Sequence, residues 1–381
     1  MIHQPTIDDP ESRRPTSVEV DVGQLRRNWE AVKAFVAPAR AMLIVKANAY
    51  GHGLFEVARH LGPRADAIGV AVLEEGVLLR RLGITATILV TGGIWTDQIP
   101  EYIRHDLTMT ASSVGRLQQI AQAAAALGKA AKVHLKIDTG MERVGVHYYS
   151  AEALLEAALR CGPNVQVEGI YSHFANADAE DLSHARLQLE RFLEVLRFYE
   201  RRSLPTPLRH IANSAAVLRL PESRLDMVRP GILAYGVYPA AHIPRSLEVR
   251  PALTWKSRVV YFKVVRAGDP VGYGSTWRSD RPVRIVTVPV GYGDGYFRSM
   301  SNRARVLIRG RSYPQVGAVC MDQIMVAIGD DSAFNGDPVV LIGEDGGNRI
   351  TVEDLAGWAG TIPYEILTAI NTRVPRIYRN A

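Results

Sequence analysis

Only two cysteines, Cys161 and Cys320, occur in 381 residues, and they form no CxxC pair. That argues against a disulfide scaffold or a structural zinc site and fits a reducing cytoplasm. Long apolar runs are also missing: nothing approaches the roughly 20 residues of a membrane span. The N-terminus, MIHQPTIDDPESRRP, is polar and carries both charge signs. Without an apolar segment it is no signal peptide, and residues 1–16 read as a loose tail. The net charge of +6 comes without a basic patch interleaved with aromatics. The arginines of RFLEVLRFYERR sit beside glutamates on a solvated helix face, so no nucleic-acid partner is expected. HFANAD contains His and Asp, but no HxxxH or HxH pairing supports a metal, and none is assigned. A GxGxxG turn is absent too, which speaks against the doubly wound open sheet as the fold.

The composition, 47% hydrophobic and 22% charged, is that of a soluble globular protein long enough for two domains. Over the first two-thirds, short apolar runs alternate with amphipathic helical stretches. Eight strand candidates appear at 41–46, 67–72, 86–92, 107–110, 132–138, 165–172, 208–212 and 224–230. Between them lie helical patterns such as SVGRLQQIAQAAAALG and LSHARLQLERFLEVLRFYE. In the latter, Leu182, Ala185, Leu189, Phe192, Leu193, Leu196 and Tyr199 recur on one face. Eight β-then-α units predict a (β/α)8 TIM-type barrel over 17–245. From 246 to 381 the helical period fades into short strand-like runs punctuated by Gly, Pro, Asp and Asn, which predicts a mostly β domain with TVEDLAGWAG as its one helix. SVEVDV at 17–22 is a strand able to join either domain.

In such a barrel the active site lies at the C-terminal ends of the strands. Lys46 ends the first strand, where desolvating an ammonium needs a reason. Lys136 lies inside the fifth strand, with Arg143 seven residues on after the turn DTGM. His173 ends the sixth, Asn213 and Ser214 follow the seventh, and Arg229 ends the eighth, just before PGI. Ionisable groups thus collect at one rim. The loops HIANSAA and RPGI hold a Ser hydroxyl at a helix start and backbone N–H groups beside a glycine, a combination suited to phosphate oxygens. Ser214 also reads as a plain helix N-cap. With a lysine at the first strand end, the set suggests a phosphate-bearing cofactor or substrate and a Schiff-base lysine.

VKANAYGHG, KIDTGMERVGV, EGIYSHFANAD, HIANSAA, MVRPGILAYG, VGYGSTW, PVGYGDGYFR, VGAVCMDQIMV and PYEILTAINTRVPRIY, in this order, resemble the segments of bacterial alanine racemases over residues 17–379. The resemblance implies pyridoxal 5′-phosphate as cofactor, L-alanine and D-alanine as substrates, and a barrel followed by a β domain. It implies that Lys46 carries the cofactor and acts as base on the D-alanine side, while Tyr273, from the other subunit of a homodimer, acts on the L-alanine side. Two bases on opposite faces are what racemisation requires. Arg229 matches the residue that meets the pyridine nitrogen, where most enzymes of this cofactor place a carboxylate. An arginine stays charged and accepts no proton, so the ring nitrogen stays unprotonated and side reactions are disfavoured. Ser214, Gly231 and Ile232 match phosphate contacts, with Tyr50 and Tyr364 nearby in the family pattern. His173 and His210 match residues lining the cofactor ring, and Arg143 and the Met321 backbone match groups holding the substrate carboxylate and a cofactor oxygen. Lys136 matches a lysine that is carboxylated in several members; an ordinary ammonium is the other reading.

Three departures stand out: Glu142 where glycine is frequent, Gly272 before the tyrosine, and Trp277 where tyrosine is common. Trp277 opens the alternative of a broader or serine-preferring racemase. A cofactor carrier of barrel type would lack the β domain and Tyr273, and a related barrel-plus-β decarboxylase would be expected to carry a carboxylate in place of Arg229. Asp294 and Asp322 read as turn formers or partners of backbone amides, and Cys320 as a small buried residue rather than a nucleophile. The expected role is D-alanine supply for peptidoglycan or, in reverse, D-alanine catabolism in the cytoplasm.

Overall fold

The computed structural model describes residues 14–381, so the expected N-terminal tail lies, through residue 13, outside the described residues. Two compact units are present. One comprises Leu25–Ala49 and Leu54–Arg250; the other comprises Tyr50–Gly53, Pro251–Ala381 and, of the N-terminal stretch, the described residues 14–24. Strand β1 (Ser17–Asp21) belongs to the latter unit.

The first unit is a ring of eight parallel strands: β2 (Arg40–Ile44), β3 (Ala67–Val70), β4 (Ile88–Val90), β5 (Met109–Ala111), β6 (Ala131–Asp138), β7 (Val165–Tyr171), β8 (Leu208–His210) and β9 (Met227–Val228). Regular pairing joins β2, β3 and β4, and a single parallel bridge, Leu89 to Thr108, carries the ring to β5. Pairing resumes from β5 through β8. The Asp226 N–H to Arg209 O bond (3.2 Å) links β8 to the segment of β9, and β9 closes on β2 with Met227 opposite Arg40. The barrel expected from the β-α alternation is thus present in the expected order. Every residue of β3, β4 and β5 is buried. Strands covered on both faces read as unbroken apolar runs, which is why they were recognisable as runs and not as alternations. The helix Ser183–Arg201 buries Ala185, Leu189, Phe192, Leu196 and Tyr199 as its period predicts. Leu193, expected on that face, is 39% exposed, because Phe192 already occupies the inward direction of that turn.

The second unit is built on a ten-stranded sheet. Its further strands are β10 (Leu253–Arg258), β11 (Tyr261–Val265), β12 (Val283–Val288), β13 (Arg305–Ile308), β14 (Arg311–Val316), β15 (Ile324–Gly329), β16 (Pro338–Asp345), β17 (Asn348–Ile350) and β18 (Arg376–Arg379). The order is β11–β12–β15–β14–β13–β16–β10–β1–β18, with β17 on β16. All pairs are antiparallel except β1–β18. SVEVDV therefore pairs within the β-rich unit. The run ALTWKSRVVYFKVV is two strands, since the backbone turns a corner at Val259 and Val260, whose N–H groups bond Asp337 O and Thr287 O. Beyond that corner β11 leaves four of its five residues exposed, an apolar strand at the edge of the sheet.

TVEDLAGWAG forms the helix Val352–Ala359, opened by a reciprocal Thr351–Asp354 capping box. A second helix, Pro363–Ala369, was not expected; its single apolar pair, Ile366 and Leu367, is too little for a visible period. This helix explains the Gly-His-Gly turn after Tyr50. Gly51 has φ +78°, and a Cβ there would stand 2.1 Å from the carbonyl oxygen of Leu367, so only glycine fits. Among the described residues no helix is long and apolar enough to cross a membrane.

Candidate active site

Lys46 lies two residues beyond β2, where the backbone leaves the strand in an unusual way. Ala47, Asn48, Ala49 and Tyr50 all have φ between 51° and 55°, a left-handed turn in four non-glycine residues. Each such residue costs roughly 1–2 kcal/mol. Three bonds hold the turn, one of them to a residue distant along the chain: Ala47 N–H to a Glu75 carboxylate oxygen (2.6 Å), Ala49 N–H to Val45 O (2.8 Å) and Leu54 N–H to Asn48 Oδ1 (2.8 Å). Burial, then the Arg143 charge, push the Lys46 pKa below the ordinary lysine range; Glu75 opposes this and Arg229 reinforces it. A lysine so placed has more of the neutral amine that a base or a nucleophile needs.

Arg229 follows β9 directly and is buried. Its guanidinium donates to His210 Nδ1 (2.7 Å), Ser172 O (2.8 Å), His173 Nδ1 (3.0 Å) and Ile211 O (3.2 Å). Burial pushes its pKa down to about 10, which leaves it a cation at neutral pH. Both histidines have pKa values pushed well below the usual range, first by burial and then by the Arg229 charge, so both are neutral acceptors. Nearby, the Ser214 hydroxyl oxygen accepts from Gly231 N–H (2.9 Å) and Leu233 N–H (3.4 Å), on either side of Ile232. Ser214 is not the helix cap: Asn213 takes that place, with Oδ1 accepting Ala216 N–H (3.0 Å). The Ser214 hydroxyl is thereby left at the converging N–H groups.

Lys136 is buried on β6 with Nζ 4.9 Å from the centre of the Tyr171 ring. Burial and then Arg229 lower its pKa well below the ordinary value. Asp138, two residues on, organises the following loop by accepting N–H bonds from Gly140 (2.8 Å), Met141 (2.9 Å) and Arg143 (3.1 Å). The Arg143 side chain is exposed. Glu142 sits in that loop at φ +55°, a left-handed conformation that glycine adopts with less strain.

Barrel residues Lys46, Lys136, Arg143, His173, His210, Ser214, Arg229, Gly231 and Ile232 therefore all lie at or just beyond C-terminal strand ends of one unit or within its strands. The other candidates belong to the β-rich unit. Tyr50 and Tyr364 have ring centroids 6.1 Å apart. Tyr273 opens a tight turn after Gly272, with 73% of its surface exposed. Met321 is exposed in a loop held by Gly293 N–H to Met321 O (2.9 Å) and by Arg373, which bridges Asp294 (2.6 Å) and Asp322 (2.7 Å). Asp294 also accepts Gly291 N–H, the structural role its sequence suggests. Trp277 packs against the cluster Val271, Val283, Ile285, Val316 and Ala327.

Two residues of the barrel centre were not singled out from sequence. Tyr171 lies flat on the His210 ring (4.8 Å, 4°), and its ring also faces Arg229 (5.2 Å). His134 lies 2.8 Å from His210. A signal for His134 exists: His134, Lys136 and Asp138 alternate along one strand and so share a face.

An eight-stranded parallel barrel with a depressed-pKa lysine, a buried arginine and a serine-centred cluster of donors at its strand ends makes up the candidate site. Residues 20–239 match the alanine racemase N-terminal domain, and residues 252–378 match the alanine racemase C-terminal domain. The chain belongs to the alanine racemase family. The alanine racemase of Carboxydothermus hydrogenoformans is 45% identical over 96% of this chain and 100% of its own. Among solved structures, the alanine racemase of Streptomyces coelicolor A3(2) superposes with a TM-score of 0.93 at 36% identity, covering 98% of this chain and 100% of that one. That of Streptomyces lavendulae gives 0.92 at 37%, covering 97% and 98%. The protein is an amino-acid racemase that interconverts L-alanine and D-alanine.

Proposed function

We propose that this interconversion runs on pyridoxal 5′-phosphate, with Lys46 and Tyr273 as the two bases, in a cytoplasmic homodimer that supplies D-alanine for peptidoglycan or opens D-alanine to catabolism. The donor chemistry of the barrel fits the cofactor. Lys46 supplies an amine, its pKa lowered by burial, for its aldehyde carbon. The Ser214 hydroxyl with the backbone about Gly231 and Ile232 suits a phosphate. Arg229, a donor-only cation held by His173 and His210, would suit an unprotonated ring nitrogen. When bound, the cofactor supplies an electron sink for the pair released as the Cα–H bond breaks. Lys46 Nζ takes or returns the proton on one face and the Tyr273 hydroxyl on the other, while Arg143 and the Met321 backbone hold the carboxylate. Tyr50 and Tyr364 are further cofactor contacts in this reading. The observation that carries it is the pairing of a depressed-pKa lysine with a buried guanidinium that donates to four acceptors.

Support for the dimer comes from the β-rich unit. Tyr261, Val264, Tyr273 and Met321 are each more than half exposed, and Tyr273 lines a groove of about 810 Å³ with Tyr261, Lys263 and Met325. Exposed apolar side chains on an edge strand favour a docking surface in this reading. Free Cys161 and Cys320 accord with a reducing compartment. The test is complementation. Lys46→Ala and Tyr273→Phe chains are each expected to be inactive alone with added cofactor. Mixed and allowed to exchange subunits, they regain D-alanine formation read by chiral chromatography, because one site of the heterodimer is intact. No recovery after verified exchange counts against a shared site.

Lys136 is proposed to carry a carbamate: its neutral amine adds to carbon dioxide, forming an N–C bond and releasing one proton, with Arg143 as the balancing cation. Burial supports the neutral amine. Isotope-labelled bicarbonate is expected to give one carbamate carbon signal that Lys136→Met abolishes; a spectrum without it returns Lys136 to an ordinary amine.

A further inference from the structure

Arg229 is held by a chain of buried rings whose proton positions are fixed by its own chemistry. A guanidinium only donates, so His210 Nδ1, 2.7 Å from Arg229 Nη1, is an acceptor. A neutral imidazole has one N–H, which must then be on His210 Nε2. That nitrogen lies 2.8 Å from His134 Nδ1, so His134 accepts there and carries its own proton on Nε2. Both rings are buried, and Tyr171 stacked on His210 sets its plane. The fold makes room for the far end of the chain. A Cβ at Gly169, on the neighbouring strand β7, would stand 2.7 Å from His134 Nδ1 and Cε1. Gly169 is thus the position that admits the histidine ring.

We propose that His134, admitted by Gly169, is a positioning residue: by receiving the His210 Nε2 proton it locks the His210 ring so that a lone pair faces Arg229. Without that acceptor the buried Nε2–H is orphaned, and the ring gains by turning away from Arg229. The consequence for catalysis rests on the reading of Arg229 as the partner of the cofactor ring nitrogen.

The test uses heteronuclear NMR of the imidazole nitrogens, with and without cofactor, beside steady-state kinetics of the loaded enzyme. His210 is expected to be protonated on Nε2, with a low-field, exchange-protected ring proton. His134→Leu, which removes the acceptor, is expected to lose that protected proton and to lower kcat about tenfold in both directions with little change in KM. His134→Asn, whose Oδ1 takes the place of Nδ1, is expected to keep both. Gly169→Ala should behave like His134→Leu. A His210 proton found on Nδ1 overturns the proposal even if the leucine variant fails to fold, and so does a folded leucine variant with unchanged kcat. If the tautomers are as assigned but Arg229→Lys leaves cofactor affinity and turnover untouched, the lock stands and the cofactor reading of Arg229 is what fails.

Discussion

Lys46→Ala is expected to lower kcat/KM for both alanine enantiomers by at least about a thousandfold, the upper part of the range for a lost general base. The loss should be of similar size in either direction, because in the proposed mechanism one residue both takes and returns the proton on its face. The pH profile carries a sharper expectation. Burial, with Arg143 and Arg229, holds the free amine below the ordinary lysine range, so the acid limb of kcat, which reports the substrate complex in which that amine is free, lies below it too. Arg143→Gln removes the largest charge contribution to that depression and should move the acid limb to higher pH, while Glu75→Gln should move it lower. Stability has a matching sign. In the cofactor-free protein, unfolded Lys46 keeps its proton up to about pH 10.4, whereas the folded residue releases it earlier. Between the folded pKa and that limit the unfolded chain binds more protons, so stability rises with pH. Lys46→Met should flatten that rise in denaturant titrations at several pH values; an unchanged slope would show that Lys46 is not depressed.

Arg229→Glu is the second large effect. The wild-type guanidinium meets four acceptors: two imidazole nitrogens and two carbonyls. A carboxylate in its place faces the same lone pairs without protons to offer, and breaking a buried charged arrangement costs about 3–5 kcal/mol. The variant should unfold at markedly lower denaturant concentration. Without cofactor the carboxyl escapes part of the penalty by staying protonated; at the ring nitrogen it would give up that proton, and the resulting carboxylate would favour the protonated ring. Side reactions should therefore gain on racemisation, read as conversion of alanine to its 2-oxo acid per racemisation event. Arg229→Lys keeps the charge but not the fork and should fall between the two. An Arg229→Glu enzyme with an unchanged side-product ratio would remove the electronic argument while leaving the structural one intact.

Much of this was legible in the primary structure because the forces are local or periodic. The barrel strands are apolar through their length since both faces are covered, and the helix Ser183–Arg201 shows its inward stripe at the helical period. TVEDLAGWAG, read as the helix of the β-rich domain, forms one. Lys46 and Arg229 were visible as charges at the ends of apolar runs, where burial is costly unless the charge serves something. The alternation of His134, Lys136 and Asp138 was equally available.

Other features have no local cause. KANAY has the composition of an ordinary helical turn, yet four of its residues are left-handed; Glu75 and Leu54, distant along the chain or beyond the turn, supply the bonds that offset the strain. Asn213 and Ser214 are both competent caps, and the choice between them follows from Gly231 arriving to occupy the serine oxygen. The corner that divides ALTWKSRVVYFKVV arises because its two halves bond different partners, β16 and β12. Residue pattern therefore determined which segments are buried strands and helices and which charges demand an explanation. Tertiary structure decided the tautomers of His134 and His210, the depressed state of Lys46 and the cap at Asn213, because each depends on hydrogen bonds and charges between residues far apart in the chain.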